Sequence, residues 1–188
     1  MENRALLIID VQKGFDEDYW GKRNNLNAEE NILKLLVLWR KNKWTVIHIR
    51  HCSTNPNSPL FPSSLGNQFK DETSPVHGEI EIKKNENSAF IGTELEFVLR
   101  KNNINDLVIV GLTTDHCVST TTRMAGNLSF NVVLVADATA TFDRKSYDGL
   151  RAFTADEMHD INLASLHDEF CEVMTTEKVI LENNKPTN

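Results

Sequence analysis

The chain has 188 residues, 40% of them hydrophobic and 25% charged, with a net charge of −7. That length and balance suit one globular domain with its own core. An acidic balance without a dense Lys/Arg run argues against a nucleic-acid partner, and no apolar run approaches membrane-spanning length. The start, MENRALLIIDV, lacks the pattern of a cleaved leader, so a cytoplasmic location is expected. Cys52, Cys117 and Cys171 form no CxxC pair, and their odd number suits free thiols better than a disulfide framework.

Ala5 to Ile9 is a continuous apolar run. It predicts a buried parallel strand with Asp10 at its carboxyl end. An Asp there is either a cap for the next turn or a carboxylate at the mouth of the sheet. Residues 11–25 read as a loop, whose Phe15, Tyr19 and Trp20 either wall a pocket or cover the core edge. Residues 27–43 predict a helix, with Asn27 as N-cap and Glu30 at capping-box spacing. Its apolar face carries Ile32, Leu35, Leu36 and Trp39.

Thr45 to Ile49 predicts the second strand, with Arg50 and His51 following it. Residues 52–78 are punctuated by Pro56, Pro59, Pro62 and Pro75. A connection that long points to a functional or interface loop. Glu79 to Ile82 predicts a short strand leading to Lys83 and Lys84. Thr93 and Glu96 then stand at capping-box spacing before a helix carrying Leu95, Val98 and Leu99.

The central stretch is Leu107 to Asn127. A strand over 106–110 is broken by Gly111, and Asp115 opens a helix with Cys117 in its first turn. Backbone N–H groups and the positive helix end favour the thiolate there. Alone, Cys117 reads either as a nucleophile or as a small buried hydrophobe. The helix from Cys117 to Leu128 contains weak formers, Ser119 to Thr122, and must be held by packing. Asn131 to Ala136 predicts a strand ending at Asp137. Thr154 to His167 predicts a helix with a Thr154–Glu157 capping box. Glu172 to Met174 predicts a last strand, and Val179 to Leu181 packs before the polar tail.

Short apolar strands alternating with helices predict a single α/β domain over 1–188. The architecture is three-layer α/β/α and Rossmann-like, with a six-stranded, mostly parallel sheet. No P-loop or GxGxxG is present, so a nucleotide has no fingerprint. Asp10, Lys84 and Cys117 all fall at carboxyl ends of strands, where open α/β sheets place their sites. The carboxylate can take the thiol proton and return it to a leaving amine, while the ammonium favours the thiolate.

Three pieces occur in one order: ALLIIDVQKGF, KNENSAFIGTELEFVLR and LVIVGLTTDHCVSTTTRMAGNLSFNVVLVADATATF. From Ala5 to Phe170 the chain resembles the isochorismatase-like cysteine hydrolases, which include nicotinamidases. The resemblance implies a catalytic triad of Asp10, Lys84 and Cys117. Lys84 is chosen over Lys83 because the family's lysine stands four residues before the Ser of SAF, here Ser88. It also implies a cis Leu112–Thr113 bond and an oxyanion hole from the backbone N–H groups of Thr113 and Cys117.

The implied reaction is hydrolysis of an amide-type C–N bond of a small molecule through a Cys117 thioester, without a cofactor. A homo-oligomer, dimer or tetramer, is implied too. Gln12, Phe15, Arg50, Phe90 and His116 are candidate pocket residues. Phe15 and Phe90 read equally as core, and Arg50 either binds a substrate carboxylate or pairs with a local acid. Nicotinamidases hold a metal through an Asp-x-His pair. Here His51 stands beside Ile49 in place of the Asp, and His48 and His51 lack further ligands, so no metal is expected. Two other readings stay open: an idle binding module, and a redox thiol resolved by Cys52 or Cys171.

Overall fold

Strand β1 (Arg4–Ile9) lies in the middle of the sheet because its side chains are apolar on both faces. In this computed structural model, which describes residues 4–183, β1 is followed by α1 (Ala28–Asn42), β2 (Thr45–His51) and β3 (Ile80–Lys84). Next come α2 (Leu95–Lys101), β4 (Asp106–Leu112), a π-helical turn at Thr114–Val118, and α3 (Ser119–Asn127). The chain continues through β5 (Asn131–Ala140), β6 (Arg144–Lys145), β7 (Ala152–Phe153), α4 (Ala155–Leu166), β8 (Glu172–Met174) and α5 (Thr176–Asn183).

The main sheet has six strands in the order β3-β2-β1-β4-β5-β8. Every pairing in it is parallel, not merely most of them. Alternation along β1 sends Leu7 and Ile9 to one face and Leu6 and Ile8 to the other. The first pair packs with Leu95, Leu99, Val118, Ala125 and Leu166, from α2, the π turn, α3 and α4. The second packs with Ile32, Leu35, Trp39 and Val179, from α1 and α5. Each such Leu or Ile buried stabilises by about 1.5–3 kcal/mol. Strand order reverses between β1 and β4, and at such a switch point a crevice opens at the carboxyl ends of the strands.

Several local expectations are corrected. Gly111 does not end β4; the strand runs on to Leu112 with a register shift against β5 between Ile109 and Gly111. Gly111 sits at φ +121, where a Cβ would lie 2.0 Å from Ile9 O, so glycine is required by close approach to β1. β5 likewise passes through Asp137 to Ala140. Arg50 and His51 are the last residues of β2, not its successors.

Asn27 stands at the N-cap of α1 but its side chain bonds no helix N–H. The N-cap position of α2 is Glu94, one residue later than expected, and its side chain bonds no helix N–H; Thr93 Oγ1 instead accepts from Leu95 N–H at 3.2 Å. The Thr154–Glu157 capping box forms in full. The β6–β7 hairpin lies where the sequence offered no element, α5 carries the Val179–Leu181 run expected to pack, and the tail from residue 184 lies outside the described residues. Among the described residues no helix is long and apolar enough to cross a membrane.

Candidate active site

Asp10 turns off the end of β1 at φ +52, a conformation that Asp tolerates better than most residues. Its N–H bonds Ile49 O at 3.0 Å, and its side chain is fully buried. Lys84, the last residue of β3, reaches the same point from across β2. Its Nζ lies 2.7 Å from Asp10 Oδ2 and 3.2 Å from Cys117 Sγ. It also lies 3.1 Å from both His51 Nδ1 and Glu86 O. Burial alone would lower the Lys84 pKa, but Asp10 and Cys117 carry it above the ordinary lysine value. A fully buried ammonium persists only with such partners.

His51 accepts from the Lys84 ammonium at Nδ1. Burial, reinforced by the Lys84 charge, holds its pKa below the usual histidine value. The ring is therefore neutral at neutral pH and carries its proton on Nε2.

Cys117 lies in the π turn, two residues beyond Asp115, and the turn is entered through a cis Leu112–Thr113 peptide. Thr113 O accepts from His116 N–H at 3.1 Å and Val118 N–H at 3.2 Å. The surroundings of the sulfur work against the thiolate that the turn by itself favours. Burial pushes the thiol pKa up, the Asp10 carboxylate pushes it further, and Lys84 draws it only part of the way back. The surroundings of the sulfur thus favour the thiol over the thiolate. Position in a first turn could not reveal this, because burial is set by the surrounding loops.

One carboxylate oxygen of Asp10, one ring nitrogen of His51 and Cys117 Sγ lie within 4.8 Å of one another. Those donors have the span of a cation site. Lys84 Nζ already lies within hydrogen-bond reach of residues of all three kinds, so the cation held there is the protein's own.

A cavity of ≈ 200 Å³ opens onto Cys117. Phe15, Trp20 and Leu60 form its apolar wall. The Phe15 and Trp20 rings lie 4.8 Å apart, and the Trp20 indole N–H donates to Gly14 O at 2.7 Å. His51, Asn87, Thr113 and His116 supply the polar side. A larger cavity, ≈ 870 Å³, lies beside Asp106, Leu107 and Asn131, at the amino-terminal ends of β4 and β5, and includes none of Asp10, Lys84 or Cys117.

The nominated pocket residues divide. Phe15 and His116 line the cavity, as do Thr113 and Cys117. Gln12, Arg50 and Phe90 do not. Gln12 is fully buried and braces backbone: its Nε2 donates to His51 O and Asn67 O, and its Oε1 accepts from His51 N–H at 2.8 Å. Arg50 pairs with Glu81 at 3.1 Å and lies over the Phe69 ring. Phe90 stacks on Phe130 within the core. His48 turns away from the site and bonds Glu79 through Nε2 at 2.8 Å.

Sequence reasoning missed Leu60 and Asn87. Asn87 stands three residues beyond Lys84, and its Oδ1 lies 3.8 Å from Cys117 Sγ, so proximity along the chain was a usable signal. Leu60 reaches the cavity from the long loop and carried no local signal. The turn that carries Cys117 is held from outside as well. Thr114 Oγ1 lies 2.9 Å from His159 Nδ1, and Asp115 is paired with Arg144 at 2.8 Å.

The chain is similar to known proteins over nearly its whole length. A family model described as the isochorismatase domain matches residues 4–178. An uncharacterized isochorismatase family protein of Bacillus subtilis (strain 168), YrdC, is 50% identical over 179 residues, covering 95% of each chain. Ureidoacrylate amidohydrolase RutB of Cronobacter turicensis is 39% identical, covering 73% of this chain and 75% of its own. The crystal structure of an isochorismatase-family protein from Chromobacterium violaceum superposes with a TM-score of 0.93 at 43% identity, covering 97% of this chain and 94% of that one.

Proposed function

The chain belongs to the isochorismatase family of hydrolases, and from that premise we propose that it cleaves an amide-type C–N bond of a small molecule through a thioester on Cys117. One observation carries the reading: a single buried ammonium, Lys84, touches both the Asp10 carboxylate and the Cys117 sulfur. An inert buried cysteine has no need of a desolvated ion pair beside it, and such a pair is expensive unless used. A relative named as an amidohydrolase supports the bond type.

In the proposed reaction Asp10 takes the Cys117 proton as the sulfur attacks the substrate carbonyl. The Lys84 ammonium stabilises the negative charge that passes from carboxylate to sulfur. Backbone N–H groups of Thr113 and Cys117 receive the developing oxyanion. The C–N bond breaks, and the amine leaves with the proton held by Asp10. Water then gives a proton to Asp10 and attacks the thioester. The acid is released and the proton returns to the sulfur. The balance is one amide and one water consumed, one acid and one amine formed.

The test is release of ammonia or amine from a panel of primary amides, N-carbamoyl compounds and lactams. Wild type, Cys117→Ala and Asp10→Asn are compared, each with and without chelator. Turnover should fall by at least about a thousandfold in both variants and be indifferent to chelator. Turnover that survives Cys117→Ala would overturn the reading.

A further inference from the structure

The cavity on Cys117 carries its fixed charge unevenly. Among its lining residues Asp10 brings the only carboxylate, and no lysine or arginine is among them. Asp10 Oδ1 is buried and accepts no hydrogen bond from any described residue. The compensating Lys84 ammonium is not part of the lining. It stands behind, taken up by Asp10 Oδ2, Cys117, His51 and Glu86 O.

The cations on neighbouring elements are committed elsewhere. Arg50, which the sequence offers as a carboxylate receptor, is paired with Glu81 and stacked on Phe69. Arg144 is paired with Asp115, and Lys70 with Asp16 and Glu29. The remaining wall is Phe15, Trp20 and Leu60. At ≈ 200 Å³ the space is below the roughly 300 Å³ at which sites for drug-sized ligands begin.

We infer that this site selects small amides with an uncharged body and rejects those bearing a carboxylate near the scissile bond. The inference rests on Cys117 being the reacting nucleophile. A substrate carboxylate here would meet Asp10 without a free cation, in surroundings where water screens little. A neutral amide meets no such penalty, and its N–H can donate to Asp10 Oδ1. Like-charge juxtaposition of this kind is a common source of rejection.

Two alkylating reagents of nearly equal size read this directly. Iodoacetamide is neutral and iodoacetate is an anion. In each case a C–S bond forms, the C–I bond breaks, iodide leaves and the thiol proton passes to Asp10. Labelling of Cys117 is followed by mass spectrometry at pH 8, with rates normalised to those of glutathione. Iodoacetamide should be favoured by at least about tenfold over that reference. Equal normalised rates would overturn the inference and leave the nucleophile standing. Failure of both reagents to label folded Cys117, while the unfolded chain reacts, would overturn the nucleophile and the inference together.

His116→Arg supplies the second arm. His116 is half exposed on the cavity lining, so the replacement places a permanent cation there with little demand on folding. The iodoacetate-to-iodoacetamide ratio should rise by at least about fivefold. An unchanged ratio would overturn the electrostatic account.

Discussion

The Lys84 ammonium and the Asp10 carboxylate form an ion pair at 2.7 Å in which both side chains are fully buried. Neither charge has water to fall back on. Removing one partner of such a pair costs about 3–5 kcal/mol, whereas replacing both by apolar groups costs far less. Lys84→Met and Asp10→Leu are each expected to lose about that much in urea unfolding. The double variant should be more stable than the sum of the single losses implies, while being inactive. Additive losses would mean that the two charges do not depend on one another.

Glu29 holds the amino end of α1 to two loops. It takes Arg23 at 2.7 and 2.6 Å and Lys70 at 2.7 Å. Burial would raise its pKa, but these cations together lower it from 4.5 to about 2. The unfolded carboxylate therefore takes up a proton before the folded one does. Stability contributed by Glu29 is present above pH 4.5 and is lost as pH falls toward 2. Glu29→Gln is expected to lose about 2–3 kcal/mol at pH 7, with the gap to wild type closing near pH 2. Parallel urea midpoints across that range would refute it.

Gly111→Ala probes the closest approach in the sheet. Its Cβ would stand 2.0 Å from Ile9 O, a backbone atom with no rotamer to relieve it, at φ +121. Because Ile9 precedes Asp10, any shift of β1 away from β4 moves the candidate base. The variant is expected to fold poorly or to lose at least about 3 kcal/mol. Thermal melting and soluble yield decide the matter. A variant with wild-type melting would show that β1 and β4 separate freely.

How much of this was legible in the sequence follows from the range of each interaction. The runs Ala5–Ile9 and Leu107–Val110 are apolar at every position, a pattern that only a strand buried on both faces explains, and both proved to be central strands. The Thr154–Glu157 box is a four-residue affair and formed as read. From sequence alone Gly111 reads as a strand end, because its need to approach Ile9 is a contact across strands. Arg50 and His51 are adjacent, and alternation puts only His51 on the cavity; their assignment needed the true end of β2. Leu60 was out of reach, since its place on the cavity depends on how the whole loop 52–78 folds back.

Gln12 shows the same point from the opposite side. Nominated for the pocket, it instead ties the backbone of His51 at both N–H and C=O and adds Asn67 O. His51 in turn accepts from Lys84, so Gln12 fixes the ring that faces the ammonium at one remove from the chemistry. Gln12→Leu would leave the His51 N–H without its partner and strip one donor from each carbonyl. Loss of a buried partner costs about 1–3 kcal/mol, and here more than one bond goes. The variant is expected to be less stable by about 2–4 kcal/mol. Its rate constant at saturating substrate should fall more than its apparent substrate affinity, because the cavity walls Phe15, Trp20 and Leu60 are untouched. Steady-state kinetics on whichever amide the panel identifies separates the two effects. A drop confined to substrate affinity would place Gln12 back among the substrate contacts.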